Sequence, residues 1–275
     1  MACRKCRLRL FSHDKETFGV YRMNSEERPH EAEKKTNNTG KKRTRLRFLL
    51  ILLPITAILT AAVIYLNIYW DYIGMEPVTK ERLDGLNLDG YNKLMIVAHP
   101  DDEFIWGGGH LLSDDYLVVV LTGDKNVTRH AEFDAMMAST GNRGLMLGYP
   151  DKVAGRRSNW TFLKDNVTDD LKTVLAYKDW ELVVTHNPDG EYGHQHHVYT
   201  SQLTGKAYDE LGCTFDFYYF GQYYKKDEVP SALESISDEL FEAKKDLAPI
   251  YESQTDTVNK LYHMLSHENW QKRTR

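Results

Sequence analysis

The sequence predicts an α/β domain, three layers deep and with a mostly parallel sheet, preceded by one transmembrane helix. Short β-branched, apolar segments recur between residues 93 and 221, and longer amphipathic segments separate them. The membrane helix is predicted by 23 consecutive uncharged residues, Phe48 to Trp70. We therefore divide the chain into a tail (1–47), a span (48–70), a linker (71–90) and a domain (91–275).

The tail differs in charge from the rest of the chain. Residues 1–47 hold 14 Lys and Arg against 6 Asp and Glu, and residues 48–275 hold 21 against 34. The tail is polar and poor in aromatic residues, so we expect it to be disordered. An acidic domain lacks the surplus Lys and Arg that phosphate neutralisation requires, so we expect no nucleic-acid partner.

The apolar span predicts a single membrane crossing. At about 1.5 Å per residue it exceeds the roughly 30 Å of a hydrocarbon core. A cleaved signal peptide has a shorter apolar stretch, and a buried core helix is rarely apolar on every face. Five basic residues stand directly before the span: Lys41, Lys42, Arg43, Arg45 and Arg47. The positive-inside bias then predicts a cytoplasmic N-terminus and an extracytoplasmic domain.

The linker and the strands come next. Glycine and proline interrupt any period between residues 71 and 90, which is typical of a linker. Strands are predicted for KLMIVAH (93–99), YLVVVLTG (116–123), WELVVTHN (180–187) and TFDFYYFG (214–221). Short, largely apolar runs of this kind are typical of strands that are buried on both faces of a parallel sheet.

Helices are predicted between and after these strands. Their ranges are Phe104–Ser113, Arg129–Ser139, Thr168–Lys178 and His196–Leu211, followed by two acidic amphipathic helices, Ser231–Ala248 and Thr257–Glu268. Strands that alternate with helices predict right-handed crossovers, with helices on both faces of the sheet. The expected arrangement is Rossmann-like.

Two polar clusters follow predicted strands. HPDDE, residues 99–103, comes after the first strand, and THNPDGEYGHQHH, residues 185–197, includes the end of the third strand. Ligands of open parallel sheets bind beyond the carboxyl ends of the strands. We therefore expect the two clusters to meet at one edge of the sheet.

The residue types at this edge predict a metal site. His99 and Asp102 are three positions apart, so one imidazole and one carboxylate can face the same point. A third ligand is expected from the second cluster, with His194, His196 and His197 as candidates. Imidazole nitrogen and carboxylate oxygen suit a divalent ion such as zinc. Successive carboxylates after a buried strand also repel one another unless a cation lies among them.

A series of motifs runs along the domain: AHPDDE, LTG, RHAEFDAMMASTG, GYPD and GEYGHQHH. Together they resemble the LmbE-like family of metal-dependent N-deacetylases, which includes the PIG-L-type N-acetylglucosaminyl-phosphatidylinositol deacetylases. The resemblance runs from Leu94 to Val198, with a weaker echo in APIYESQ near the C-terminus. Its specific part is AHPDDE coupled to a downstream G-H-x-x-H.

The resemblance implies a metal centre and a catalytic pair. His99, Asp102 and His197 match the family's metal ligands, with zinc as the implied metal and ferrous iron as the alternative. Asp101 matches the general base. His194 matches the histidine that polarises or protonates the tetrahedral intermediate.

The resemblance also implies two residues that hold the sugar, Arg129 and Asp151. From the residues alone, Arg129 would instead pair with Glu132 on a helix surface. The second cluster departs from the family pattern, because His196 replaces an acid there. His196 is therefore a further candidate ligand, and the interaction that orients His194 stays open.

The expected function is removal of the acetyl group from an N-acetylglucosamine-type sugar. Tethering to a membrane favours a glycolipid or a cell-surface glycan as the substrate. The alternative is a membrane-tethered carbohydrate-binding or sensing domain with weakened catalysis on the same scaffold, which the change at His196 favours. Metal content and release of amine distinguish the two functions.

Overall fold

The computed structural model describes residues 31–69, 75–153 and 155–274. Residues 1–30 of the predicted tail and residues 71–74 of the predicted linker lie outside the described residues, as does Trp70 at the end of the predicted span.

Helix α1 runs from Glu31 to Tyr69 and contains most of the predicted span. Its stretch Gly40–Leu66 is long and apolar enough to cross a membrane by length and composition, with a mean hydropathy of 2.6 over an 18-residue window. The helix begins within the basic segment for which the sequence predicts disorder. Apolar side chains project from it on all sides, as they do from a helix that faces lipid.

The domain is built on a mostly parallel sheet. Its strands are β1 (Lys93–Val97), β2 (Tyr116–Thr122), β3 (Arg143–Tyr149), β6 (Leu182–Thr185), β7 (Asp216–Tyr219) and β8 (Gln271–Lys272). The order is β3-β2-β1-β6-β7-β8, with the first five strands parallel and β8 antiparallel to β7. A separate hairpin consists of β4 (Lys152–Val153) and β5 (Arg156–Arg157). The predicted α/β class is confirmed.

Helices cover both faces of the sheet. They are α2 (Lys80–Asp84), α3 (Asp102–Ser113), α4 (Val127–Thr140), α5 (Lys164–Leu175), α6 (Gly190–Gly193), α7 (Gln195–Leu211), α8 (Asp238–Leu247) and α9 (Thr255–Leu261), with 3₁₀ segments at Ala248–Gln254 and Tyr262–Met264. Along β1, Leu94 and Ile96 lie in a core cluster with α5 and α7. Met95 and Val97 lie in a second cluster with α3, α4 and the C-terminal segments. The three predicted layers follow from this alternation.

Strand β3 is missing from the prediction. Its sequence RGLMLGY contains two glycines, which shorten the apolar run that indicates a strand. The structure explains one of them, because a Cβ at Gly144 would lie 2.5 Å from the Phe133 ring of α4. The glycine allows close approach of a helix to this strand.

The predicted C-terminal helices are shorter and more broken in the structure. Helix α8 begins only at Asp238, where the hydroxyl of Ser237 accepts a hydrogen bond from the N–H of Leu240. Pro249 lies in the first turn of the 3₁₀ segment that follows α8, and a proline there lacks the N–H that would continue the α-helix. Helix α9 ends at Leu261, seven residues before the predicted end.

A buried ion pair joins the C-terminal segments to α3. Lys244 Nζ donates to Glu268 Oε1 (2.6 Å) and to the carbonyls of Ile105 (2.9 Å) and Leu265 (2.7 Å). The Glu268 carboxylate also accepts from the N–H of Gly109 (2.7 Å). Neither charged side chain is exposed, so Lys244 depends on Glu268 for its counter-charge, while Glu268 also contacts His110 Nδ1 (2.6 Å).

We expect Glu268→Gln to lower the free energy of unfolding at neutral pH by about 3–5 kcal/mol, because Lys244 then stays buried without a counter-charge. Burial alone would raise the pKa of Glu268, but Lys244 and His110 outweigh burial and lower it from 4.5 to about 2. The stabilisation is therefore complete above the ordinary pKa of 4.5 and is lost as the pH falls from there towards 2. Urea unfolding of both proteins between neutral and acidic pH measures the difference.

Glu242→Gln is the matched control. Glu242 contacts Lys245 (2.5 Å) on the same helix, but its side chain is 70% exposed, so its loss should cost less than about 1 kcal/mol. Equal effects of the two substitutions, or a Glu268→Gln effect that grows in acid, would contradict this account.

Candidate metal and active site

The two polar clusters meet at the carboxyl edge of the sheet, as the sequence predicts. Strands β1 and β6 are parallel neighbours. Ile96, one residue before the end of β1, lies opposite Thr185, the last residue of β6. The HPDDE turn follows β1 and leads into α3, and the second cluster follows β6 and leads into α7. Topology thus brings together segments about ninety residues apart in sequence.

The turn after β1 holds an imidazole and a carboxylate together. Asp102 Oδ2 accepts from the backbone N–H of His99 (2.9 Å) and lies 3.2 Å from His99 Nδ1. Asp102 is also the first residue of α3, where the helix dipole favours a negative charge. Both side chains are buried. The three-residue spacing therefore directs both groups to the same side, as predicted.

The first turn of α7 brings His197 to the same place. His197 Nε2 lies 3.2 Å from Asp102 Oδ1, so the carboxylate stands between His197 and His99. The other nitrogen, Nδ1, contacts Glu191 Oε2 at 2.5 Å. The structure thus brings together the three residues that the resemblance implies as ligands.

The donor set fits a divalent ion. Within the described part of the chain, His197 Nε2 and His194 Nδ1 are buried and make no hydrogen bond, although buried polar atoms normally have a partner. Three trios have candidate ligand atoms within 4.8 Å of one another: His99, His194 and His197; Asp102, His186 and His197; and His99, Asp151 and His196. Of the three implied ligands, His99 and His197 belong to the first trio, and Asp102 and His197 belong to the second. Imidazole and carboxylate donors of this kind suit zinc and ferrous iron.

Asp101 has an unusual backbone conformation. Its φ of 133° and ψ of −28° lie outside the regions that L-residues favour, which costs about 1–3 kcal/mol. The N–H of Asp101 donates to Glu103 Oε2 (3.1 Å), and Glu103 Oε1 accepts from the hydroxyl of Tyr251. All three side chains are buried. The Glu103 carboxylate therefore holds the strained backbone of Asp101, and Tyr251 of the C-terminal APIYESQ segment in turn holds that carboxylate.

The adjacent carboxylates have opposite electrostatic environments. Burial, with Asp102 beside it, raises the pKa of Asp101 to about 8, while Arg129, 3.6 Å away, acts in the other direction. Burial would also raise the pKa of Asp102, but His197 and His186 outweigh it and hold that pKa well below its usual range. A cation among these groups would lower the pKa of Asp101 too.

Arg129 and Glu132 contact different partners. Arg129 Nη2 donates to Gln254 Oε1 (2.5 Å) and faces Asp101, whereas Glu132 accepts from the N–H (2.7 Å) and hydroxyl (2.6 Å) of Ser253. The surface pair that the residues alone indicate is therefore replaced by contacts with the APIYESQ segment. This segment and α4 together place the guanidinium beside Asp101.

Asp151 reaches into the histidine cluster. Its Oδ1 lies 3.5 Å from His99 Nε2 and 3.5 Å from His196 Nδ1. Asp151 and Arg129 also line one cavity of about 540 Å³, together with Lys125 and Lys152. The structure thus brings both predicted sugar-binding residues to one cavity wall beside the candidate ligands.

His194 lies at the end of the second cluster, just before α7. Its ring centroid is 4.7 Å from that of His99 and 4.3 Å from that of His197. Burial, reinforced by these two rings, lowers the pKa of His194 to about 2, so the imidazole is neutral. The geometry makes His194 a candidate ligand as well as the predicted acid.

Sequence reasoning missed His186 and Glu191. His186 Nε2 accepts from the N–H of Ala98 (3.0 Å), and its Nδ1 donates to Glu191 Oε2 (2.9 Å). The same carboxylate oxygen contacts His197 Nδ1, so Glu191 fixes the orientation of that ring. Both residues belong to the second polar cluster, and the position of His186 directly after β6 was the available signal.

Residues 94–208 match the family model described as PIG-L: GlcNAc-PI de-N-acetylase. The chain is 28% identical over 195 residues to an uncharacterized protein of Acanthamoeba polyphaga mimivirus, covering 65% of this chain and 78% of that protein. It is 29% identical over 160 residues to a 1D-myo-inositol 2-acetamido-2-deoxy-alpha-D-glucopyranoside deacetylase of Corynebacterium glutamicum, covering 45% of this chain and 55% of that protein.

Among solved structures, the chain is similar to the crystal structure of the antimicrobial reagent A40926 pseudoaglycone deacetylase Dbv21, with a TM-score of 0.47 and 20% sequence identity. That similarity covers 62% of this chain and 85% of the other. The chain spans about half the length of the Corynebacterium deacetylase.

Proposed function

Because residues 94–208 match the PIG-L family model, we propose that the chain is a metal-dependent hydrolase. Its reaction removes the acetyl group from an N-acetylglucosamine-type sugar, consumes water, and leaves acetate and a free amine. One observation carries the proposal: Asp101, the candidate ligands and the cavity that Arg129 and Asp151 line converge at the carboxyl edge of the sheet.

The proposed ligands are His99, Asp102 and His197. When bound, a divalent ion supplies Lewis acidity, which polarises the acetamide carbonyl and makes water a better nucleophile. Asp101 accepts the proton of the attacking water. Asp101 is the N-cap residue of α3, but its side chain makes no cap hydrogen bond, and its carboxylate lies 3.6 Å from Arg129.

His194 and the two cavity residues act on the substrate. His194 is a neutral imidazole, so it donates a hydrogen bond to the oxygen on which negative charge develops and assists collapse of the tetrahedral intermediate. The proton that Asp101 takes from water passes to the departing amine. Arg129 lines the cavity, and its guanidinium also lies 3.6 Å from Asp101. From this position the guanidinium can hold sugar hydroxyls near the reacting amide. Asp151 accepts hydrogen bonds from sugar hydroxyls on the same wall.

The membrane helix bears on the choice of substrate. The stretch Gly40–Leu66 supports anchoring by length and composition. Anchoring keeps the domain near a membrane and favours a glycolipid or a cell-surface glycan over a freely diffusing sugar. The basic residues before the span support a cytoplasmic N-terminus and a domain on the opposite side. The alternative of a binding domain without catalysis is not favoured, because the family model that matches residues 94–208 is that of a de-N-acetylase and the Corynebacterium relative is a deacetylase.

A direct assay tests the function. Purified full-length protein in detergent, loaded with zinc or ferrous iron, should release acetate and free amine from N-acetylglucosaminyl glycolipids. Chelation should stop the release, and added metal should restore it. Metal-loaded protein that binds these conjugates without releasing acetate would contradict the proposal.

We expect Tyr251→Phe to lower kcat by roughly 10-fold and at most about 10²-fold, with KM and metal content unchanged. The substitution removes the hydroxyl that donates to Glu103, the residue that holds the strained N–H of Asp101. Steady-state kinetics on the same conjugates measures the split between kcat and KM.

Tyr208→Phe is the matched control, since Tyr208 is also a buried tyrosine whose hydroxyl donates to a single partner, the carbonyl of Phe215, far from the site. It should leave kcat unchanged. A similar loss in both variants would indicate general destabilisation and would contradict a specific role for Tyr251.

A further inference from the structure

His196 occupies the position at which the chain departs from the family pattern, and it is fully buried. Its ring stacks on Trp160, with centroids 4.5 Å apart and planes inclined by 6°. Its Nε2 lies 2.7 Å from the carbonyl oxygen of Ser158, and its Nδ1 lies 3.1 Å from His99 Nε2. Each ring nitrogen of His196 therefore has a defined partner, and neither partner is Asp102.

These contacts fix the protons on the two rings. A carbonyl oxygen can only accept, so His196 Nε2 carries a hydrogen and donates it to Ser158. In a neutral His196 ring, Nδ1 is then a lone pair, and that lone pair faces His99 Nε2. Burial away from water disfavours the alternative, a doubly protonated cationic ring.

The requirement at His99 is complementary. His99 Nδ1 is the nitrogen that faces Asp102, the second proposed ligand. If Nδ1 holds the metal, the single proton of the neutral ring must lie on Nε2. That N–H needs an acceptor in the protein, and His196 Nδ1 (3.1 Å) is closer than Asp151 Oδ1 (3.5 Å).

We propose that His196 is a positioning residue for the metal and does not bind the metal itself. It accepts the Nε2–H of the ligand His99, and its own ring is held by the hydrogen bond that it donates to the Ser158 carbonyl. The proposal rests on the proposed metal site. A ligand histidine usually donates its second N–H to a carboxylate, a carbonyl or water, and the acceptor fixes the ring and raises its basicity. Here a second imidazole, that of His196, has that role.

The trio of His99, Asp151 and His196 offers a competing arrangement, since its candidate atoms also lie within 4.8 Å of one another. A metal there would make His196 a ligand. Each arrangement places two imidazoles on the metal, but His196→Phe removes an imidazole ligand only from the competing one, a loss that X-ray absorption detects. The two also respond differently to substitutions that keep an acceptor.

The test compares zinc affinity in the full-length protein, measured by competition with a chromogenic chelator. His196→Phe keeps a ring to stack on Trp160 but has no acceptor, and should raise the zinc dissociation constant about 10- to 100-fold. His196→Asn places an amide oxygen near the position of Nδ1 and should stay within about 3-fold of wild type. His196→Gln extends its amide towards Ser158, so it should weaken zinc binding as His196→Phe does. It takes the place of His196→Phe in the test if that variant does not fold.

X-ray absorption of zinc-loaded wild type and His196→Phe should give the same number of imidazole ligands. One imidazole fewer in the variant would make His196 a ligand and overturn the inference, and so would unchanged zinc affinity in both the Phe and the Gln variants. Wild-type protein that binds no divalent metal would overturn the proposed function as well. Zinc binding with no response to substitution would overturn the inference alone.

Discussion

Asp101→Asn is expected to lower kcat by about 10²–10⁴-fold while the protein still binds its metal, because a carboxamide cannot accept the proton of the attacking water. Asp101 is buried, and its carboxylate lies 3.6 Å from the guanidinium of Arg129 and directly before the proposed ligand Asp102. The substitution preserves shape and removes only the basic oxygen. Acetate release and metal stoichiometry, measured on the same preparation, check the expectation.

The matched control is Asp114→Asn, at the opposite end of α3 from the site. Asp114 pairs with Lys93, and its side chain is 41% exposed, so its loss should leave kcat within about 2-fold of wild type. Full activity in Asp101→Asn would show that another group is the base. Loss of metal in that variant would show that Asp101 is a ligand.

His197→Ala is expected to reduce both bound metal and acetate release to background. The substitution removes one of three proposed ligands. It also removes the imidazole that lies between Asp102 Oδ1 and Glu191 Oε2, so the two carboxylates lose their shared partner. Asp102→Asn should act in the same direction, since an amide is a poor ligand in place of a carboxylate. Metal analysis after exhaustive dialysis, followed by assay with and without added zinc, measures the effect.

His130→Ala provides the comparison for loss of a histidine. His130 lies on α4, and its side chain is 39% exposed and contacts Asp124 and Asp134. Its removal should change neither metal content nor activity. Stoichiometric metal in His197→Ala, or equal metal loss in His130→Ala, would contradict the assignment of His197 as a ligand.

The sequence was sufficient for the parts of the fold that depend on local pattern. The apolar runs at β1, β2 and β6 predict strands buried on both faces, and the structure has them there. Strand β3 has the same environment, but Gly144, where α4 packs closely, and Gly148 shorten its apolar run, so the sequence pattern is weaker than the burial of the strand. The C-terminal helices differ from the prediction at other points: α8 begins at Asp238, seven residues after the predicted start, where Ser237 caps it, and α9 ends at Leu261, seven residues before the predicted end.

The site divides in the same way. The positions of His99 and Asp102 follow from a turn of three residues, so the sequence predicts their proximity directly. The contact between Tyr251 and Glu103 joins residues 148 positions apart and has no local signature. The strain at Asp101, which that contact stabilises, is likewise a property of the folded backbone and not of the residue type. Supporting contacts of this kind depend on tertiary packing.

The central claim is that one cation joins the turn after β1 to the first turn of α7. Anomalous diffraction at the zinc edge from crystals of the metal-loaded protein tests it most directly. We expect a single peak within ligand distance of His99 Nδ1, Asp102 and His197 Nε2. A peak bounded instead by His99 Nε2, Asp151 and His196, or no peak at this edge of the sheet in active protein, would contradict the claim.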